Sequence, residues 1–270
     1  MMIRRKWLSL TAGFVMVSKE ACSKQAKPSA ADKKSTDRTV AARAKMVERH
    51  LKERGIKNPR VLDAFRTVPR HEFIRVEVRH LAYEDESIPI GEGQTITPPF
   101  DVAFMTEALD PQPTDKVYEV GTGSGYQAAI LAQLVKDVYS VEIHKPLADG
   151  AARILKKLGY DNVKSRHGDG YEGWPDAAPF DAVIVTCAPE KVPQPLVDQL
   201  KEGGRIVIPL GDRYKQSVFI MYKKGGKLTE PKAIRPTLFV PMTGRAQREA
   251  ASDSGKGAIQ KKDLNDTKPK

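Results

Sequence analysis

The residues with the clearest chemical purpose are three glycines, Gly121, Gly123 and Gly125, which follow the apolar residues 117–120. Glycine has no Cβ, so the backbone takes positive φ at low cost and a ligand can approach it closely. An apolar helical pattern begins at Gln127, and the first N–H groups of a helix have no partner within that helix. A strand, a glycine-rich turn and a helix in this order predict a site for a nucleotide-like cofactor.

Two cofactor chemistries fit the spacing of these glycines. Read from Gly123, the loop follows the G-x-G-x-x-G/A pattern of NAD and FAD sites. Read from Gly121, it follows G-x-G-x-G with Glu119 two residues earlier, which is typical of S-adenosylmethionine sites. Glu142 stands 21 positions after Gly121, at the end of the next apolar segment, where a carboxylate can accept hydrogen bonds from the ribose of either cofactor. A turn that binds nothing is the third interpretation.

The net charge of +11 is concentrated near the N-terminus of the 270-residue chain. Residues 1–60 hold 16 Lys or Arg against 5 Asp or Glu, whereas residues 61–270 hold 29 of each. A neutral folded part lacks the basic surface that nucleic-acid binding requires, so the charge argues against a nucleic-acid partner.

Cysteines and histidines are too few and too scattered for a disulfide framework or a metal site. The two cysteines are Cys22 and Cys187, and the five histidines show no ligand spacing. Cys187 lies in an apolar strand pattern, where a thiol is more often inert packing than a nucleophile. We therefore predict no metal.

The chain divides into three parts. Residues 1–38 are a basic leader and linker, residues 39–244 a single catalytic domain, and residues 245–270 a polar tail that we expect to be disordered. The leader resembles a signal segment, and a lipoprotein signal with Cys22 at the cleavage site is one form of this interpretation, although Lys19 and Glu20 make that site poor. A leader without any export role is the alternative. The apolar stretch is too short to span a bilayer as a helix.

Regular alternation of apolar patterns predicts an α/β fold with a doubly wound, mostly parallel sheet. We expect helices over residues 39–53, 59–67 and 101–109 as an N-terminal helical extension. Strands are expected over residues 116–120, 137–143, 162–166, 180–185 and 204–209, with helices over 127–134, 146–158 and 192–199 between them. Apolar residues 217–223 and a Gly225-Gly226 turn, followed by residues from 228 to 240, predict a closing antiparallel hairpin. Such a hairpin is typical of S-adenosylmethionine methyltransferases and favours that donor over NAD.

Several further segments narrow the family. They are VPRHEF at 68–73, AYEDESIPIGEGQTITPP at 82–99, RHGDG at 166–170, PFDAVIVT at 179–186, LKEGGRIVIPLG at 200–211 and FVPMTG at 239–244. Together with the glycine loop, they resemble the protein-L-isoaspartate O-methyltransferases over roughly residues 40–244. One position departs from the family pattern, because its active-site serine is replaced here by Thr97.

The resemblance implies methyl transfer from S-adenosylmethionine to the α-carboxyl group of L-isoaspartyl residues in damaged proteins and peptides. It implies that Thr97 is the catalytic residue, as a hydrogen-bond donor that aims the carboxylate. The implied cofactor-binding residues are Glu119, Gly121, Gly123, Ser124, Gly125, Glu142, Asp169 and Thr243. The peptide should bind in extended form between residues 83–98 and the hairpin after residue 217.

The resemblance also implies a monomeric cytoplasmic enzyme whose partners are isoaspartyl proteins. The periplasm or envelope is the alternative if residues 1–22 act as a signal. Two rival functions use the same glycine loop: an NAD-dependent oxidoreductase, and a catalytically degenerate module that only binds S-adenosylmethionine.

Overall fold

The computed structural model describes residues 30–212 and 214–252, with side chains from residue 38 onward. Most of the predicted leader and residues 253–270 of the predicted tail lie outside these residues. Within them, no helix is both long enough and apolar enough to cross a membrane.

The described residues form ten strands, most of which belong to one central sheet. The strands are β1 Ile88–Gly91, β2 Gln94–Ile96, β3 Lys116–Val120, β4 Asp137–Glu142, β5 Val163–His167, β6 Phe180–Val185, β7 Leu200–Gly211, β8 Gln216–Lys224, β9 Lys227–Leu228 and β10 Lys232–Thr237. The central sheet has the order β5-β4-β3-β6-β7-β8-β10, and β9 pairs with β8 at one end. Strands β3 to β7 pair in parallel, whereas β8 pairs antiparallel with both β7 and β10. A separate antiparallel pair is formed by β1 and β2.

The middle strands are apolar because helices and turns cover both faces of the sheet. In β3, Val117 packs into the core layer on one face and Tyr118 into the layer on the other, and neither is exposed. Each fully buried side chain of this size contributes roughly 1.5–3 kcal/mol through the hydrophobic effect. Burial on both faces explains why these strands read as continuous apolar runs.

In the part of the chain that the structure describes, six α-helices before residue 199 connect and cover the strands. They are α1 Ala30–Met46, which continues as a π-helix over Val47–Lys52, α2 Pro59–Thr67, α3 Pro99–Leu109, α4 Tyr126–Ala132, α5 Lys145–Lys157 and α6 Gln194–Asp198. The start of α2 shows how local sequence sets these bounds. Pro59 occupies the first turn, and the Asn58 side chain accepts hydrogen bonds from the N–H groups of Arg60 and Val61 at 3.0 and 3.4 Å.

The predicted architecture is confirmed, with the helical extension, the parallel strands and the antiparallel end all present. Three segments differ from expectation. Helix α1 begins at Ala30, within the residues predicted to be a linker, and not at residue 39. Residues 238–240 were expected in the closing hairpin, but they leave the sheet after β10. Gln216 holds them there, because its side chain donates to the Phe239 carbonyl at 3.2 Å and accepts from the Phe239 N–H at 2.6 Å. Residues 245–252, expected to be disordered, are helical.

Candidate active site

A cavity of about 910 Å³ opens where β3, β4 and β6 end. Its walls include Val120 and Glu142, the last residues of β3 and β4, and Thr186, which follows β6. Because β3 lies between β4 and β6, the strand order reverses at this point, and open α/β sheets bind ligands at such a reversal. We call this space the inner cavity.

Seven of the predicted site residues line the inner cavity. They are Thr97, Gly121, Gly123, Ser124, Glu142, Asp169 and Thr243. The structure does not bring Glu119 or Gly125 to its wall.

The glycine loop takes the positive φ values that its sequence predicts. The φ angles are +93° at Gly121, +53° at Gly123 and +90° at Gly125. A Cβ on Gly121 would lie 2.5 Å from the Thr186 hydroxyl oxygen, and one on Gly125 would lie 3.3 Å from the Leu155 side chain. At Gly125 the positive φ and the close Leu155 side chain of α5 both favour glycine.

Glu142 shapes the loop as well as the cavity. One of its carboxylate oxygens accepts from the Gly123 N–H at 2.8 Å, and the other accepts from the His144 N–H at 2.9 Å. Each carboxylate oxygen has a second lone pair, so Glu142 keeps capacity for hydroxyl donors from a ligand. As the last residue of β4, Glu142 is placed at the cavity by that strand.

Glu119 lies beneath the loop, where it is fully buried and does not line the inner cavity. Its Oε2 accepts from the Ser140 hydroxyl at 2.5 Å, and the Ser140 and Thr122 hydroxyl oxygens are 2.5 Å apart. Its Oε1 is buried without a hydrogen-bond partner. Burial raises the pKa of Glu119 to about 8, with the nearby Glu142 carboxylate adding to the shift. The group is therefore mostly protonated at neutral pH and supports the loop through Ser140.

Asp169 also lines the inner cavity, just after β5. Its Oδ1 accepts from the Tyr171 N–H at 3.0 Å, and its Oδ2 accepts from the Arg245 N–H at 2.7 Å. Thr243 lies on the same wall, two residues before Arg245. Ser124 lies in the glycine loop, and its hydroxyl accepts from the Tyr126 N–H at 3.3 Å.

A second space, of about 1290 Å³, adjoins the inner cavity, and we call it the outer groove. It runs between the loop that contains Ser87 and Pro98 and the end of β10 around Arg235 and Thr237. Six residues line both spaces: Thr95, Thr97, Thr186, Phe239, Val240 and Pro241. The two spaces therefore meet at Thr97, and the outer groove lies where the sequence predicted a peptide-binding groove.

Arg70, which the sequence analysis did not single out, fixes the position of Thr97. Its guanidinium is completely buried, donating to the Ala82 carbonyl and to the Thr97 carbonyl, both at 2.9 Å. It also lies 4.7 Å from the centre of the Tyr126 ring, and burial lowers its pKa to about 10. In the sequence, the only indication of a role for Arg70 is its place in the VPRHEF segment.

The Thr97 side chain is half-buried, and its hydroxyl has no hydrogen-bond partner among the residues that the structure describes.

Cys187, expected to be inert packing, lines the inner cavity next to Thr186. Burial raises the pKa of its thiol, which keeps the thiol protonated and poorly nucleophilic.

Comparison with known proteins agrees with this geometry. The family described as Protein-L-isoaspartate(D-aspartate) O-methyltransferase (PCMT) matches residues 41–247. The chain is 48% identical over 205 residues to the protein-L-isoaspartate O-methyltransferase of Gloeobacter violaceus, covering 76% of this chain and 100% of that protein. It is 51% identical over 202 residues to the protein of the same name from Opitutus terrae, covering 74% of this chain and 86% of that one.

A solved structure is also similar, that of a beta-aspartate methyltransferase (PCMT) from Plasmodium falciparum in complex with S-adenosyl-L-homocysteine. It superposes with a TM-score of 0.66 at 26% identity, over 74% of this chain and 98% of that one. The family match over residues 41–247 includes all the residues that line the inner cavity and the outer groove. The chain therefore belongs to the protein-L-isoaspartate(D-aspartate) O-methyltransferase family.

Proposed function

We propose that the protein transfers a methyl group from S-adenosylmethionine to the free α-carboxylate of L-isoaspartyl residues in proteins and peptides. The observation that carries this proposal is the meeting of the two spaces at Thr97. The inner cavity, at the ends of the parallel strands, suits a small donor, and the outer groove suits an extended peptide. Their shared wall is the place where a group could pass from one to the other.

The inner cavity fits a donor that carries an amino acid, a ribose and an adenine base. Glu142 offers carboxylate lone pairs to ribose hydroxyls, as acidic residues at the end of the second strand do in related folds. Asp169, which also lines the inner cavity, offers an acceptor to an adenine amino group. The main chain at Gly121 and Gly123 leaves room for the amino acid portion because no Cβ intrudes.

S-adenosylmethionine supplies an activated methyl group on a positively charged sulfur. The acceptor needs no general base, because a carboxylate with an ordinary pKa of about 4 is already ionised at neutral pH. The protein's task is to place one carboxylate oxygen in line with the methyl group and to hold it there. Water must also be kept from the shared opening, and Phe239, Val240 and Pro241 supply apolar surface on both of its sides.

Thr97 is the residue that we propose to aim the carboxylate. Its hydroxyl can donate to one carboxylate oxygen and leave the other oxygen free to attack. Its carbonyl is held by the Arg70 guanidinium, so the hydroxyl starts from a fixed backbone position. The additional methyl group of threonine restricts χ1 and leaves the donor in place, which supports an active enzyme with Thr97 where the family has serine.

The decisive experiment measures methylation of an isoaspartyl peptide and of its normal aspartyl twin by the full chain. We expect transfer to the isoaspartyl peptide and at least tenfold less to the twin. Equal transfer to both would point to another acceptor. Binding of S-adenosylmethionine without transfer to either peptide would support the degenerate module instead.

A parallel titration with S-adenosylmethionine and with NAD tests the donor. Tight NAD binding without S-adenosylmethionine binding would restore the oxidoreductase interpretation. We expect the reverse, because the antiparallel β8 and β10 complete the sheet in the manner typical of methyltransferases.

The partners that follow from this function are damaged proteins, with no nucleic acid. We propose a monomer, which light scattering on the purified chain would test.

For the compartment we propose the cytoplasm, on the family resemblance alone, with the envelope as the alternative. The mature N-terminus, determined by mass spectrometry, tests this directly, since loss of residues 1–21 would mean export.

A further inference from the structure

The helical segment of residues 245–252 follows the last residues of the inner cavity wall, Met242 and Thr243, without a linker. Gly244 makes the connection with a φ of +75°, and a Cβ there would collide with the Asp169 carboxylate. The chain therefore passes directly over Asp169 as it enters the helix. This segment extends beyond the part of the chain that the family match covers, which ends at residue 247.

The main chain of the segment binds Asp169 from outside the cavity. The Arg245 N–H donates to Asp169 Oδ2 at 2.7 Å, while Oδ1 is held by Tyr171. The Arg248 guanidinium lies 3.9 Å from the same Oδ2. Asp169 Oδ2 is thus oriented by the helical segment, and Oδ1 by the main chain of Tyr171.

Side chains of the segment bind Tyr171, the neighbouring wall residue. The Tyr171 hydroxyl donates to Glu249 Oε2 at 2.6 Å, and Arg245 Nε donates to Glu249 Oε1 at 2.7 Å. The Arg245 guanidinium lies 4.9 Å from the centre of the Tyr171 ring. Its Nη1 also donates to the Glu172 carboxylate at 3.2 Å. Glu249 therefore joins the helix to the cavity wall by bonding Arg245 with one oxygen and Tyr171 with the other.

We infer that residues 245–252 position the donor site: Arg245 and Glu249 hold Asp169 and Tyr171 in the orientation that binds the donor. The inference rests on the proposed function for the identity of the donor. Asp169 and Tyr171 line the inner cavity and not the outer groove. The segment should consequently act on donor affinity and leave peptide affinity unchanged. Preorganisation of this kind removes the free-energy cost of ordering the wall when the donor binds.

The first test compares Glu249→Ala with Glu48→Ala in the full chain. Glu48 forms an ion pair with Lys52 at the same four-residue spacing, and the Glu48 and Glu249 side chains are 49% and 48% exposed. Loss of a charge-assisted hydrogen bond that orders the wall should weaken S-adenosylmethionine binding in calorimetry roughly five- to tenfold for Glu249→Ala. The control should change it less than twofold. The KM for an isoaspartyl peptide should stay within twofold for both.

A second pair of variants isolates the main-chain contact with Asp169. Arg245 begins the helix, where proline is tolerated, and proline lacks the N–H that Asp169 accepts. Arg245→Ala keeps that N–H and removes only the side chain. We expect Arg245→Pro to bind S-adenosylmethionine at least threefold more weakly than Arg245→Ala.

A double variant at Tyr171 and Glu249 distinguishes positioning of the donor site from a purely structural role. Tyr171→Phe removes the other end of the bond to Glu249, so the double variant with Glu249→Ala should bind the donor no more weakly than the weaker single variant. Additive losses, a raised peptide KM, or a lower melting temperature with unchanged donor affinity would each overturn the inference. If the unmodified chain bound NAD and not S-adenosylmethionine, the proposed function would fail. The same comparison run with NAD would still decide the role of Glu249.

Discussion

The inner cavity and the outer groove meet at the same residues but are built in different ways. The inner cavity is formed by the ends of parallel strands and by main-chain N–H groups, as at Gly123 and Glu142. The outer groove borders an irregular loop that buried or partly buried charges hold in place. Arg70 binds two of its carbonyls, and Asp85 binds both the Arg54 guanidinium and the Phe100 N–H. Substitutions in the first region should therefore change donor affinity, and those in the second should change turnover.

The largest effect is expected for Arg70→Ala. The change leaves the carbonyls of Ala82 and Thr97 without their donor, and each unpaired buried acceptor costs roughly 1–3 kcal/mol. We expect a loss of about 4 kcal/mol in the free energy of unfolding, measured with urea, and a larger fall in turnover than in donor affinity. Arg70→Lys, which keeps the charge and part of the bonding, should be intermediate. Unchanged stability would contradict the role given to this guanidinium.

Glu142→Ala tests the donor side. Loss of hydrogen bonds from ribose hydroxyls to a carboxylate should cost about 2 kcal/mol, or roughly thirtyfold in the S-adenosylmethionine dissociation constant by calorimetry. Turnover at saturating donor should change less than threefold. Glu142→Gln, which retains one acceptor, should lose less affinity. A selective rise in peptide KM would show that the division between the two regions is wrong.

Glu119→Gln tests the support beneath the glycine loop through the pH dependence of stability. The folded-state pKa of Glu119 is raised from 4.5 to about 8, so the folded state holds this proton more tightly than the unfolded state does. Its contribution to stability is then complete below pH 4.5 and is lost as the pH rises towards 8. Gln mimics the protonated form and cannot lose a proton. Between about pH 5 and 7, the free energy of unfolding of the Gln variant should therefore decline by roughly 2 kcal/mol less than that of the original chain. Parallel stability profiles for the two proteins would argue against a protonated Glu119.

Thr97→Ala is expected to have the smallest effect of the four. One hydrogen bond to a charged acceptor is lost, so turnover on an isoaspartyl peptide should fall about tenfold, with donor affinity unchanged. Thr97→Ser restores the hydroxyl and should keep turnover within about threefold of the original. The result that would contradict the proposal is an alanine variant as active as the serine variant.

The sequence predicted the features that depend on local patterns. The strands, the positive φ of the loop glycines and the position of Glu142 at the end of β4 all follow from periodicity and residue type. Thr97 was predicted only because its flanking residues resemble a known family. The cofactor role expected for Glu119 stays a prediction, because its side chain does not line the inner cavity and accepts instead from Ser140.

The features that sequence reasoning missed depend on contacts between distant segments. A charged residue such as Arg70 is ordinarily exposed, and its burial here depends on carbonyls 12 and 27 positions away. Gly125 serves the packing of α5, which follows a strand later. The polar residues from 245 onward indicated disorder, and their helix is stabilised by contacts with residues 169–172.

The segment that separates the inner cavity from the outer groove is held through its main chain. The Ala188 N–H donates to the Val240 carbonyl at 2.8 Å, and the Met242 N–H donates to the Ala188 carbonyl at 2.9 Å. Bonds of this kind do not depend on which side chains the segment carries. Leu238, which lines only the outer groove and is 72% exposed, can therefore be replaced without moving the wall. Peptide preference is thus open to adjustment by substitution at this rim, independently of the machinery that holds the methyl donor.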